Sequence, residues 1–221
     1  MWEINDRTGY DNAKKQKTGQ ISDSYGSFAQ LIRDYAKNQN NKTFLEVGTW
    51  NGLGSTKQFV DELILRDDDY LFYSLECNSE KSEYARSLYK EHEKINILNE
   101  VLYNEDVENF DDIMPQCNNN AVFKHWHEVD SENMKKCNVF LERKDIPETF
   151  DVVLLDGGEF TTYFEFQIIK NKCIYLLLDD INTPKCKKIV EEIKSQESQW
   201  EIIEENYKER NGYMICRNLN N

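Results

Sequence analysis

Thr43-Phe44-Leu45-Glu46-Val47-Gly48-Thr49-Trp50-Asn51-Gly52-Leu53-Gly54-Ser55-Thr56 is the stretch on which the reading of this chain turns. Phe44, Leu45 and Val47 make the short apolar run of a buried strand. The run ends in a turn with three glycines and passes into a segment of helical character. Glycine lets the backbone bend sharply there and lets a ligand approach where a Cβ would clash. The first turn of the helix offers N–H groups without intrahelical partners, a seat for polar ligand atoms. The stretch predicts a nucleotide-like ligand on the first strand-to-helix crossover.

Spacing narrows the ligand. The glycines read G-x-x-x-G-x-G, with Glu46 two residues before the first. The dinucleotide fingerprint requires G-x-G-x-x-G. The phosphate-binding P-loop requires G-x-x-x-x-G-K-[ST], but the fifth residue after Gly48 is Leu53, and Lys57 follows Thr56. The pattern E-x-G-x-x-x-G closely resembles the first motif of class I S-adenosylmethionine (SAM) methyltransferases. That resemblance implies a loop, Gly48, Thr49, Trp50, Gly52, Gly54 and Ser55, wrapped around the methionine part of SAM. It also implies that Glu46 stands near the ligand's ammonium, directly or through water. A plain glycine-rich turn is the competing reading.

The 221 residues suit one domain with a sizeable core. A formal net charge of -14 repels phosphate backbones and anionic lipid, so neither nucleic acid nor membrane is expected as partner. No apolar run reaches the roughly 20 residues that span a bilayer. Met1 to Asp6 lack the pattern of a secretory signal. The six cysteines are scattered without a C-x-x-C pair, several in apolar runs, which points to a reduced, cytoplasmic protein without zinc.

Phe28, Leu31, Ile32 and Tyr35 fall on one face of a helix. The remainder of residues 1–42 reads as a polar arm whose Trp2, Tyr10 and Tyr25 could anchor a lid. From Thr43 to Asn221 the pattern is that of a single cofactor-binding domain. Its strands are expected at Tyr70–Leu75, Ile95–Leu102, Phe150–Asp156 and Cys173–Asp179, alternating with helices. Residues 104–148 are polar and read as an insertion, with helical hints at Val107–Met114 and Met134–Leu141. Trp200–Glu204 and Tyr213–Cys216 close the chain as two strands joined through the turn at Asn211-Gly212. Uniformly apolar strands are buried on both faces. The expected fold is therefore α/β: a Rossmann-like, mostly parallel sheet with an antiparallel last strand and helices on both faces. This is also the architecture that the resemblance implies.

Ligands in such sheets bind beyond the carboxyl ends of the strands. Glu76 ends the second strand, placed to accept hydrogen bonds from ribose hydroxyls. Asp156 and the pair Asp179-Asp180 end two strands that should be neighbours. Three crowded carboxylates repel one another unless a cation or proton separates them, and hard oxygen ligands favour Mg²⁺ or Mn²⁺. The arrangement resembles the metal-dependent O-methyltransferases of macrocin and catechol type. There such residues hold a divalent ion that lowers the pKa of the acceptor hydroxyl. Catechol-type relatives often carry a lysine three residues after the first of these aspartates, as the base. This chain has Glu159 there, so the base is sought among Glu159, the metal itself, His125 and His127, while Asp156 is a catalytic candidate that also faces the cofactor. Acidic residues that merely cap the following helix are the alternative.

These readings converge on an enzyme that transfers methyl from SAM to a hydroxyl of a small-molecule or carbohydrate acceptor. Homo-oligomerisation stays open. The rivals are an NAD-type oxidoreductase or epimerase and a non-catalytic SAM-binding module of the same fold.

Overall fold

The computed structural model describes Ile21, residues 26–104 and residues 121–221. Trp2, Tyr10, Tyr25, Cys117 and the helical segment expected at Val107–Met114 lie outside these residues.

Seven strands form one sheet: β1 (Thr43–Val47), β2 (Leu71–Leu75), β3 (Ile95–Leu98), β6 (Phe150–Leu155), β7 (Cys173–Asp179), β8 (Trp200–Asn206) and β9 (Tyr213–Asn218). Their order is β3-β2-β1-β6-β7-β9-β8. β1, β2, β3, β6 and β7 run parallel, and β9 pairs antiparallel with both β7 and β8. The sheet has the expected Rossmann-like form. A small parallel pair, β4 (Glu100–Val101) with β5 (Asn138–Val139), stands beside it.

Alternation along the central strands explains why they are largely apolar on both faces. Leu45 and Val47 enter one core and Phe44 the other; Val153 and Leu155 part from Val152 and Leu154 in the same way, as do Leu176 and Leu178 from Leu177. Helices cover both faces. α1 (Ser27–Lys37) packs against α2 (Ser55–Leu63) and buries Phe28, Ala29, Ile32 and Ala36, with Leu31 and Tyr35 partly covered. α3 (Ser79–Tyr89) is capped by the Asn78 side chain, which accepts from the Lys81 N–H at 3.0 Å. α4 is Ala121–Met134 and α5 is Thr162–Ile169. α6 (Pro184–Ser195) begins on Pro184, whose missing N–H costs nothing in a first turn.

Two expected elements differ. The run Ile95–Leu102 does not continue as one strand. Asn99 breaks it, its Nδ2 donating to the carbonyls of Glu76 at 2.8 Å and Cys77 at 3.0 Å, so the chain leaves the sheet after Leu98. The helix hinted at Met134–Leu141 is the end of α4 followed by β5 and a 3-10 turn, because Phe140 turns into the core.

Among the described residues no helix is long and apolar enough to cross a membrane. The five described cysteines, Cys77, Cys137, Cys173, Cys186 and Cys216, are free thiols.

Candidate active site

β1 pairs with β2 on one side and β6 on the other, so the connections after β1 and β6 depart in opposite directions. Such a switch point opens a crevice at the carboxyl edge. Here it is a cavity of about 630 Å³. Gly48, Thr49, Trp50, Gly54 and Ser55 supply the floor. Glu76, Asp156, Glu159 and Asp180 stand on its walls.

Gly48 has φ +102°, and a Cβ there would meet the Asp156 carbonyl oxygen at 2.1 Å. The space that Gly48 leaves is thus filled by the neighbouring strand end, not kept for a ligand. The same turn is tied to β2: the N–H groups of Gly48 and Thr49 both donate to the Leu75 carbonyl, at 3.0 and 3.1 Å. Gly52, φ +74°, faces α3, where a Cβ would meet Ala85, and its carbonyl accepts from the Tyr89 hydroxyl. Gly52 shapes the loop from behind and is not part of the cavity wall.

Glu46 is also behind the wall, fully buried. Its Oε2 accepts from the hydroxyls of Thr56 at 2.7 Å and Ser74 at 2.5 Å, and Ser74 in turn bonds Thr49. The carboxyl thereby fastens the loop and the start of α2 to β2. Burial pushes it up to about 7, against the opposing pull of the Ser55, Ser74 and Thr56 hydroxyls.

Glu76 is held from two sides. Oε2 accepts from the Trp50 N–H at 2.7 Å and Oε1 from the Asn78 N–H at 2.9 Å. A carboxylate offers about four acceptor positions, so capacity remains for a diol. Burial raises it, countered by the Lys81 ammonium and by the two backbone donors. Lys81 lies 5.9 Å from the centre of the Trp50 ring. Trp50 itself adopts φ 49°, an uncommon conformation for a residue with a side chain.

The far wall comes largely from the segment expected as an insertion. α4 contributes Phe123, Trp126, Asp130 and Met134, and Val101 and Glu100 face them from β4. These β4 residues follow the third strand, where an adenine contact is expected in this architecture. His125 and His127 are on α4 but not in the cavity wall; His127 packs edge-on against Phe160 at 5.1 Å.

Sequence reasoning missed two residues at the remaining wall. Glu165 on α5 is buried and lines the cavity, its Oε1 accepting from Thr161 Oγ1 at 3.1 Å. Burial pushes it up to about 7, the Thr161 and Thr162 hydroxyls and Lys185 pulling the other way. Lys185 on α6 bridges Asp156 Oδ1 at 2.9 Å and Asp180 Oδ2 at 2.8 Å. Burial alone would lower it, but those two carboxylates hold it well above the ordinary lysine range. Both residues were findable. Thr162, Glu165, Phe166 and Ile169 share one helical face, as do Lys185, Ile189 and Ile193 with Cys186 beside them, so each charge stands on a buried stripe.

Asp156, Asp179 and Asp180 do converge, with one oxygen of each within 4.8 Å of the others. Asp179 is nearly enclosed and outside the cavity wall, paired with Arg210 at 3.0 Å. Burial, then the Asp156 and Asp180 charges, push Asp179 up to about 8. Burial and the Asp180 charge also raise Asp156, against Lys185. Asp180 is lowered despite its burial, because Lys185, Asn211 and Arg210 all favour its anion.

No protein-family model and no curated protein matches this chain. Solved structures do. An O-methyltransferase from Bacillus cereus in complex with S-adenosylhomocysteine (SAH) superposes with a TM-score of 0.59 over 95% of this chain and 86% of its own, at 14% identity. The SAH-bound methyltransferase PaMTH1 of Podospora anserina gives 0.54 over 95% and 85%, at 11% identity. A ribosomal protein L11 methylase from Lactobacillus delbrueckii subsp. bulgaricus gives 0.51 over 89% and 79%, also at 11%. At such identities the likeness is one of fold, and the fold is that of the class I SAM-dependent methyltransferases.

Proposed function

We propose that this chain is a SAM-dependent methyltransferase that methylates a hydroxyl on a small-molecule or glycan-type acceptor. The observation that carries the proposal is the pairing of Glu76 with the Trp50 N–H across the cavity floor. It joins the acidic end of β2 to the glycine loop at the switch point of a class I methyltransferase sheet. A ribose held by Glu76 would lie between the loop, which suits the methionine end, and the apolar wall of Phe123, Trp126, Met134 and Val101, which suits adenine.

Charge supports SAM over a dinucleotide. The wall carries Glu76, Glu100, Asp130, Asp156, Glu159, Glu165 and Asp180 against Lys81 and Lys185. Such a surface favours a sulfonium cation and opposes a diphosphate. It likewise opposes polyphosphate acceptors, which argues against nucleic acid.

SAM brings a methyl group already activated on a good leaving group. What remains for the protein is alignment, exclusion of water and removal of the acceptor's proton. Glu76 and the start of α2 fix the cofactor, and α4 closes the cavity above it. Glu165 is the carboxyl we assign to the proton. It lines the cavity, its Oε2 is enclosed, and it titrates near neutrality, where a general base works best. Glu159 and Asp156 share that wall, whereas His125 and His127 do not. A divalent cation forms no part of this mechanism, because Lys185 already bridges Asp156 and Asp180.

Thermal unfolding with added ligand tests the proposal. SAM and SAH should each raise the melting temperature and NAD should not, since only a ligand preferring the native state stabilises it. Transfer of labelled methyl to a panel of sugars, polyols and phenols then finds the acceptor. Stabilisation by NAD without stabilisation by SAM would reject the assignment.

A further inference from the structure

We propose that the ammonium of Lys185, backed by the Arg210 guanidinium, stands where a divalent cation would sit, so that the Asp156–Asp179–Asp180 cluster is a metal-free site.

The three carboxylates lie close enough to ligate one ion. Four of their six oxygens are nevertheless taken. Lys185 Nζ lies 2.9 Å from Asp156 Oδ1 and 2.8 Å from Asp180 Oδ2. Arg210 Nη2 lies 3.0 Å from Asp179 Oδ2 and 3.8 Å from Asp180 Oδ1. Asn211 Nδ2 donates to Asp180 Oδ1 at 3.0 Å. Both oxygens of Asp180 and one each of Asp156 and Asp179 therefore face protein donors. Mg²⁺ needs near-octahedral oxygen ligands at about 2.0–2.1 Å. An ammonium between two of those ligands excludes it by volume and by charge. The two protein cations also supply the same +2 that the ion would bring to three carboxylates.

Lys185 cannot easily swing aside. Its side chain is 2% exposed. It is rooted in the first turn of α6, directly after Pro184, and the helix is anchored by buried Cys186, Ile189 and Ile193. Asp180 is fixed as well. It adopts φ 60°, a conformation Asp tolerates better than most residues. The next two N–H groups hold it there, Ile181 donating to the Gly212 carbonyl at 3.2 Å and Asn182 to that of Asn211 at 2.8 Å. A buried ammonium of this kind depends on its partners, and they on it.

The substitution changes which acceptors the site can take. A metal holds two adjacent oxygens of a chelating acceptor such as a catechol. Lys185 lines the cavity as a hydrogen-bond donor with three N–H groups, two of them committed to Asp156 and Asp180. An acceptor here is met by single hydrogen bonds, so a lone hydroxyl suffices and a vicinal diol is not required.

Mn²⁺ titration of chelator-treated protein at neutral pH, read by electron paramagnetic resonance, tests this without any knowledge of cofactor or acceptor. The wild-type chain should show no Mn²⁺ bound at the triad, and millimolar Mg²⁺ should leave its melting temperature unchanged. Lys185→Ala should gain Mn²⁺ affinity by about tenfold or more, and the gain should vanish in the Lys185→Ala/Asp156→Asn double variant. One Mn²⁺ bound by the wild type and released by Asp156→Asn would overturn the proposal. So would a folded Lys185→Ala protein with no gain. If Lys185→Ala does not fold, the wild-type and Asp156→Asn titrations still decide it.

Discussion

The Cβ that Gly48 lacks would lie 2.1 Å from the carbonyl oxygen of Asp156. The first residue of the glycine loop and the first residue after β6 are thus packed backbone against backbone. The Asp156 N–H also donates to the Val47 carbonyl at 2.9 Å. Two halves of the candidate site are set by one contact that only glycine permits.

Gly48→Ala should consequently act on the fold before it acts on any ligand. The positive φ costs about 1–3 kcal/mol for a residue with a side chain, and overpacking against backbone adds about 1–3 kcal/mol. Urea denaturation should show a loss of roughly 2–6 kcal/mol, with SAM binding lost as the Asp156 end moves. A variant of unchanged stability that merely fails to bind SAM would return Gly48 to the ligand.

Glu76→Gln probes ribose recognition with less damage. The amide keeps one oxygen acceptor, while its NH₂ would face either the Trp50 or the Asn78 N–H, both of which now donate to the carboxylate. SAM affinity should fall about 10- to 100-fold, in line with about 1–3 kcal/mol for a buried polar group left without its partner. Isothermal titration with SAH measures it directly. An unchanged affinity would reduce Glu76 to a loop fastener.

The parts legible in the sequence were those whose physics is local. β1, β6 and β7 announce themselves because burial on two faces demands mostly apolar runs, and Pro184 marks the start of α6 through its own backbone chemistry. The end of β3 was illegible because Asn99 turns the chain by bonding carbonyls 22 and 23 residues earlier. α4 was read as insertion because its polar and apolar residues follow no single stripe; its apolar side covers a cavity rather than a core. Lys185 and Glu165 are single charges on helices and carry no local motif. Only their spacing from Ile189, Ile193, Phe166 and Ile169 betrays that they point inward.

Glu46 should give stability a particular dependence on pH. Its carboxyl moves from 4.5 to about 7 on folding, chiefly through burial. The native state keeps the proton after the unfolded chain has released it. The contribution of Glu46 to native stability is therefore greatest below about 4.5, falls as pH rises toward 7, and levels above that. Glu165 contributes in the same direction. Denaturation of the wild type and of Glu46→Gln at pH 5 and pH 8 checks this. The fall between the two pH values should shrink in the variant, and an identical fall would show that Glu46 does not titrate in that range.

Glu165 carries the catalytic prediction. A base must be ionised to accept a proton, and burial places Glu165 at about 7. Methyl transfer by the wild type should accordingly rise with pH through about 7 and then level. Glu165→Gln keeps the size of the side chain and an oxygen able to accept from Thr161, so folding and SAH affinity should be nearly unchanged. The rate constant for transfer should drop by about 10²- to 10⁴-fold, the usual worth of a positioned general base, and its rise through neutrality should disappear. Single-turnover transfer with a saturating acceptor separates this loss from any change in acceptor binding. A Glu165→Gln enzyme that keeps the wild-type rate and pH profile would remove Glu165 from the chemistry. The proton would then pass to Glu159 or Asp156, carboxylates that also line the cavity.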